Sequence, residues 1–122
     1  MLHHLSLPVA DLPASTALYQ AALTALGYRL VAEGPGFAGF GIEAAQDILG
    51  LKAVVGALAA GPGFHLALKA PTRAAVDAFH AAALAHGATD NGAPGLRPHY
   101  GATYYACFVI DLDGHRLEAV TT

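Results

Sequence analysis

Three side chains carry the chemistry suggested by this 122-residue sequence: His4 near the start of the first apolar run, His65 near the start of a similar run, and Glu118 in the last one. Two imidazoles and one carboxylate form a ligand set for a divalent ion that leaves positions open for a substrate's oxygens. Fe, Mn, Zn, Ni and Co all accept such ligands, so the set predicts a divalent metal without choosing among them. Any one of the three taken alone reads as a hydrogen-bonded polar residue on a solvated face. Their matching positions argue for more.

The elements that must position them form one pattern written twice. Residues 2–9, LHHLSLPV, alternate like a strand, after which Asp11 and Pro13 open a helical segment that runs to Leu26 and stops at Gly27. In the second half, residues 63–70, GFHLALKA, alternate in the same way. Pro71 and Thr72 then start a helix that ends at Gly87. His4 falls opposite His65 at an offset of about 61 residues, and Leu5 and Leu7 fall opposite Leu66 and Leu68. Shorter extended runs follow each helix: Tyr28–Glu33, Phe37–Ile42 and Asp47–Val55, then Ala88–Thr89, Thr103–Ile110 and His115–Val120. Each unit therefore reads β-α-β-β-β, with AAGPG at 59–63 as the linker between module one, 1–60, and module two, 61–122. The stretch Asp90–Tyr100, DNGAPGLRPHY, reads as a loop because of its Gly and Pro content.

Strand parity decides where the three acceptors point. Leu5, Leu7 and Val9 share one face of the first strand, and His4, Ser6 and Pro8 share the other. Phe64, Leu66 and Leu68 oppose His65, Ala67 and Lys69, and Leu117 and Ala119 oppose Arg116, Glu118 and Val120. If the leucine faces pack beneath helices, all three candidate ligands lie on the helix-free side.

Composition sets outer bounds. Hydrophobic residues make up 55% and charged residues 12%, which predicts a single globular domain rather than a disordered chain. The net charge of −3 and six scattered Lys and Arg give no surface for tracking phosphates, so nucleic acid is excluded as a partner. No stretch approaches the roughly 18 unbroken apolar residues of a membrane span, and the N-terminal segment lacks a basic n-region. The expectation is a cytoplasmic protein with no membrane partner. Cys107, the only cysteine, lies in an apolar run and reads as a buried inert thiol. EGPGFAGFG at 33–41 reads as a hairpin, since no GK[ST] follows it. His80 and His86 read as structural helix residues, and His115, after an Asp-Gly turn, as exposed. Arg97, in the predicted loop, reads equally as a solvated surface residue and as a planar fork able to grip a substrate carboxylate.

These residues resemble the vicinal oxygen chelate superfamily, the glyoxalase, bleomycin-resistance and dioxygenase group. The resemblance rests on His4 through Asp11 with the helix after it, on His65 opening the second module, and on Asp111-Leu112-Asp113-Gly114-His115-Arg116-Leu117-Glu118. That last stretch is similar to the family's Asp-Pro-Asp-Gly turn leading to a metal carboxylate, with Leu112 in place of Pro. It implies an α+β fold of two βαβββ modules whose sheets curl around an open cleft, and a divalent metal on His4, His65 and Glu118. It also implies a homodimer that completes the cleft, and a small-molecule substrate. A lyase, isomerase or dioxygenase acting on an oxygen-bearing compound is the first expectation, and a non-catalytic drug-binding protein of bleomycin-resistance type is the second. By similarity to extradiol dioxygenases, His99 and Tyr100 are the candidates for acid–base work, with Tyr104 beside Arg97 at the substrate. The fourth ligand of the usual glyoxalase I, a Glu in the last strand of module one, has no counterpart in Asp47–Lys52, which removes both a ligand and a base.

Overall fold

A computed structural model describes all of residues 1–122. Its elements run β1 Leu5–Val9, α1 Leu12–Thr24, β2 Arg29–Gly34, β3 Phe37–Gly41, β4 Leu49–Ala53, β5 Leu66–Lys69, α2 Arg73–Ala85, β6 Thr89–Leu96, β7 Tyr105–Ile110 and β8 Arg116–Thr121. The βαβββ order occurs twice, as the sequence predicts. Both helices begin on side-chain caps: Asp11 accepts from the Ala14 amide at 3.1 Å and Thr72 from the Ala75 amide at 3.1 Å. Just past them Gly27 and Gly87 take φ +87° and +99°, left-handed turns that end a helix without a Cβ clash.

The strands form two four-stranded sheets, ordered β1-β4-β3-β2 and β5-β8-β7-β6. In each, the first strand is parallel to the last of its module, β1 with β4 and β5 with β8, and the other pairings are antiparallel. The helices cover one face of each sheet and pack on one another, so a single core cluster joins Leu7, Val9, Leu18, Leu23, Phe40 and Leu51 to Val76, Phe79, Val109 and Leu117. Burying each such side chain stabilises the fold by about 1.5–3 kcal/mol, which makes the leucine faces of the strands the inner ones. The opposite faces stay free of helix.

A polar tie joins the two halves. The Asp111 carboxylate accepts from the Tyr19 hydroxyl at 2.7 Å and from the amides of Asp113 and His115 at 2.9 and 2.8 Å. Asp113 accepts in turn from the Ala10 amide at 2.8 Å. Burial, reinforced by the Asp111 charge, pushes the Tyr19 hydroxyl well above the ordinary phenol range.

Two expectations are corrected. The predicted loop at Asp90–Tyr100 is largely strand β6, paired with β7 through two register shifts, at Asp90/Gly92 and Gly92/Gly95. Gly and Pro misled because β6 is a bulged edge strand, where Pro94 deprives no neighbour of a ladder bond. His115 is not exposed but 2% accessible. Its Nε2 donates to the carbonyl of Pro8 at 2.7 Å, a bond to module one that draws the ring inward, and its Nδ1 has no partner. The hairpin over 33–41 and the buried Cys107 agree with expectation, and burial pushes that thiol up to about 11. No helix is long and apolar enough to cross a membrane.

Candidate functional site

The helix-free face of the second sheet is built by β8 at its centre. Register places Phe108 of β7 beside Glu118, Ala67 of β5 on the other side, and Gly92 of β6 beyond Phe108. His65 precedes β5 with the parity of Ala67, and Tyr104 precedes β7 with the parity of Phe108. These side chains converge on Glu118, which is 2% exposed.

Both of its carboxylate oxygens have protein partners. His65 Nε2 lies 3.0 Å from Oε2, and the Tyr104 hydroxyl donates to Oε1 at 2.5 Å. A buried carboxylate is costly unless satisfied in this way. The hydrogen bond to Glu118, aided by burial, pushes the Tyr104 hydroxyl up to about 12, so it remains a donor at neutral pH. Around this pair opens a cleft of about 360 Å³ whose walls include Phe64, Asn91, Tyr100, Tyr104, Phe108 and Arg116. The Tyr100 ring packs at a tilt of 55° against that of Tyr104, with centroids 5.3 Å apart, and is itself 63% exposed. His99 lies outside the cleft wall and packs on Tyr100 at 4.1 Å.

Arg97 follows β6 immediately. Its guanidinium rests over the Phe108 ring, 5.5 Å from the centroid, and donates to the Ala93 and Leu96 carbonyls at 2.7 and 3.4 Å.

His4 occupies a different half of the molecule. It lines a cleft of about 890 Å³ on the helix-free face of the first sheet, together with His3, Ser6, Phe37, Asp47 and Ile48. Its Nδ1 is 2.9 Å from that of His3. Within one chain, accordingly, no group of three or more His, Cys, Asp or Glu side chains stands close enough to hold an ion. His65 and Glu118 do fit two neighbouring positions in a metal's shell: with bonds of about 2.1 Å at right angles, adjacent ligand atoms stand about 3 Å apart. One chain thus brings together two of the three candidate ligands.

Phe108 and Asn91 were not singled out from sequence. The alternation of Tyr104, Ala106 and Phe108 against Cys107 and Val109 would have placed Phe108 on the site face. Asn91 sits within the first bulge of β6, between Asp90 and Gly92, where no alternation holds. His80 and His86 are structural: the first bonds Asp90 at 2.8 Å and holds that carboxyl below its usual range, and the second bonds the carbonyl of Ala82 at 2.9 Å.

Comparison with known proteins adds a family. The family model described as Glyoxalase/Bleomycin resistance protein/Dioxygenase superfamily matches residues 1–119. No curated protein matches the chain. Among solved structures, a glyoxalase/bleomycin resistance protein from Albidiferax ferrireducens T118 is 27% identical with a TM-score of 0.82, over 97% of this chain and 95% of that one. A glyoxalase-related enzyme from Fulvimarina pelagi is 20% identical at TM-score 0.77, over 100% and 88%. The fosfomycin resistance protein FosX from Listeria monocytogenes is 20% identical at TM-score 0.74, over 100% and 93%. The last two are similar in fold.

Proposed function

Because the chain belongs to the Glyoxalase/Bleomycin resistance protein/Dioxygenase superfamily, we propose that it is a divalent-metal-dependent enzyme of vicinal oxygen chelate type acting on a small oxygen-bearing compound. The observation that carries this reading is Glu118, a carboxylate buried on the floor of an open cleft with His65 Nε2 at 3.0 Å. A fold gains little from such a group in so costly a place, whereas a site for chemistry needs it.

In this reading His65 and Glu118 would hold the ion, and His4 of a second copy would supply the third ligand. Each chain has two open half-clefts with exposed apolar walls, Phe37 and Ile48 in one and Phe64 and Tyr100 in the other. A two-fold pairing that sets unlike halves together covers both and forms two equal sites. When bound there, a divalent ion would supply Lewis acidity and a template for two adjacent substrate oxygens. Tyr104 keeps Oε1 engaged and fixes the carboxylate's orientation, so that Oε2, which faces His65 Nε2, is the oxygen that would turn to the ion. Tyr100, exposed beside it, is the group placed to exchange a proton with substrate.

A second reading, a non-catalytic small-molecule binder of bleomycin-resistance type, is favoured by the completeness of Glu118 without an ion: each oxygen already has a protein donor. Elemental analysis of chelator-free protein separates the two. Stoichiometric metal, lost in both His4→Ala and Glu118→Ala, supports the enzyme, and metal-free wild-type protein refutes it. Light scattering adds the assembly: a monomer that still carries the metal contradicts the shared site.

A further inference from the structure

Two cations that no carboxylate neutralises stand at the cleft: Arg116 in its wall and Arg97 just beyond it, over the wall residue Phe108. The ion pairs of the protein are His65 with Glu118 and His80 with Asp90, so neither Arg97 nor Arg116 has a carboxylate partner. Arg116 is exposed at the cleft wall, one same-face position before Glu118 on β8.

Arg97 is held in place with some care. A Cβ added at Gly92 would stand 3.3 Å from its Nη2 and 3.0 Å from the Phe108 ring, and one added at Gly95 would stand 3.2 Å from its Nη1. Two glycines therefore leave the room that the guanidinium occupies over Phe108. Two of its N–H groups reach the backbone carbonyls of Ala93 and Leu96, and a guanidinium has five. Three donors and a full positive charge remain for a ligand.

Its distance from the carboxylate follows from register. Gly92 pairs with Phe108 and Phe108 with Glu118, which sets the guanidinium about two strand spacings, ~10 Å, from Glu118. Phe108 forms an apolar floor between them, with the His65 ring 6.5 Å from it on the other side.

We propose that the substrate bears a carboxylate remote from its reacting oxygens, and that Arg97, cradled by Gly92 and Gly95 over Phe108, receives it, with Arg116 adding positive charge beside the reacting end. The substrate class is then a small oxygenated acid, with its two vicinal oxygens at Glu118 and its carbon chain on Phe108. This inference rests on the reading of the cleft as the substrate site.

The test compares 2-oxoglutarate with 2-oxopentanoate, which has the same five carbons and the same vicinal oxygens but lacks the remote carboxylate. Calorimetric titration of the protein as purified should show 2-oxoglutarate binding about tenfold more tightly, the increment expected of a charged, bidentate contact. Arg97→Gln should abolish that preference without changing metal content by elemental analysis, and Arg97→Lys should retain part of it. Equal binding of the two acids, binding of neither, or a preference that survives Arg97→Gln overturns the proposal. If the protein proves metal-free, the same comparison is made with glutarate and pentanoate. An Arg97-dependent preference there upholds the carboxylate subsite while the metal reading falls.

Discussion

Tyr104→Phe removes one oxygen atom and tests how Glu118 is held. In the wild-type chain the Tyr104 hydroxyl donates to Oε1 at 2.5 Å while His65 engages Oε2 at 3.0 Å, and the carboxylate is 2% exposed. A hydrogen bond to a charged group contributes about 1.5–3 kcal/mol. Tyr104 itself is only partly buried, so water can replace part of the bond, which reduces the expected loss to about 1–2 kcal/mol. For a domain of this length that corresponds to a fall in Tm of about 3–8 °C. The effect has a pH signature of definite sign. Because the folded-state value of the hydroxyl is about 12 and that of the unfolded chain about 10, the native state holds this proton more tightly. Its contribution is fully present below pH ~10 and is lost as pH rises through about 12. Thermal melts of both proteins at neutral pH and through the alkaline range measure the difference, and comparing the two cancels the losses from Tyr19 and Tyr105, whose values are also raised. Equal stability at neutral pH, or a gap that does not narrow in the alkaline range, would refute the reasoning.

Asp111→Ala strands three donors, the buried Tyr19 hydroxyl and His115 amide and the part-buried Asp113 amide, and removes the Tyr19 bond from the tie between modules. Urea denaturation should show a loss of about 3–5 kcal/mol, against about 1–2 kcal/mol for Tyr19→Phe, which leaves fewer groups unpaired. Cys107, buried and with its thiol pushed up to about 11, should resist a thiol reagent at neutral pH in native protein and react once the chain is unfolded. Rapid labelling of the folded state would show that β7 opens.

The fold was largely legible because its signals are local. Leu5, Leu7 and Val9 against His4, Ser6 and Pro8 state a strand and its inner face, and Asp11 and Thr72 state where the helices begin. β6 was not legible, since its two bulges break the alternation by which a strand is recognised and its Gly and Pro imitate a loop. His115 failed for another reason: the Pro8 carbonyl that buries it lies 107 residues away. The candidate site was legible to the same degree. Parity put His65 and Glu118 on one face, where they meet at 3.0 Å. The hydroxyl of Tyr104 on Glu118, and the separation of His4 into another cleft, depend on how sheets sit in space, which strand patterns do not encode.

The claim that matters most is that the ion site is shared between two chains, and mixing variants tests it directly. His4→Ala and Glu118→Ala proteins should each be metal-free, yet a heterodimer of the two contains one undamaged site, His4 from the Glu118→Ala chain with His65 and Glu118 from the other. Unfolding and refolding an equal mixture should therefore recover about a quarter of the wild-type metal per chain by elemental analysis. A mixture that stays as empty as its parents, while wild-type protein taken through the same cycle regains its metal, would contradict the account.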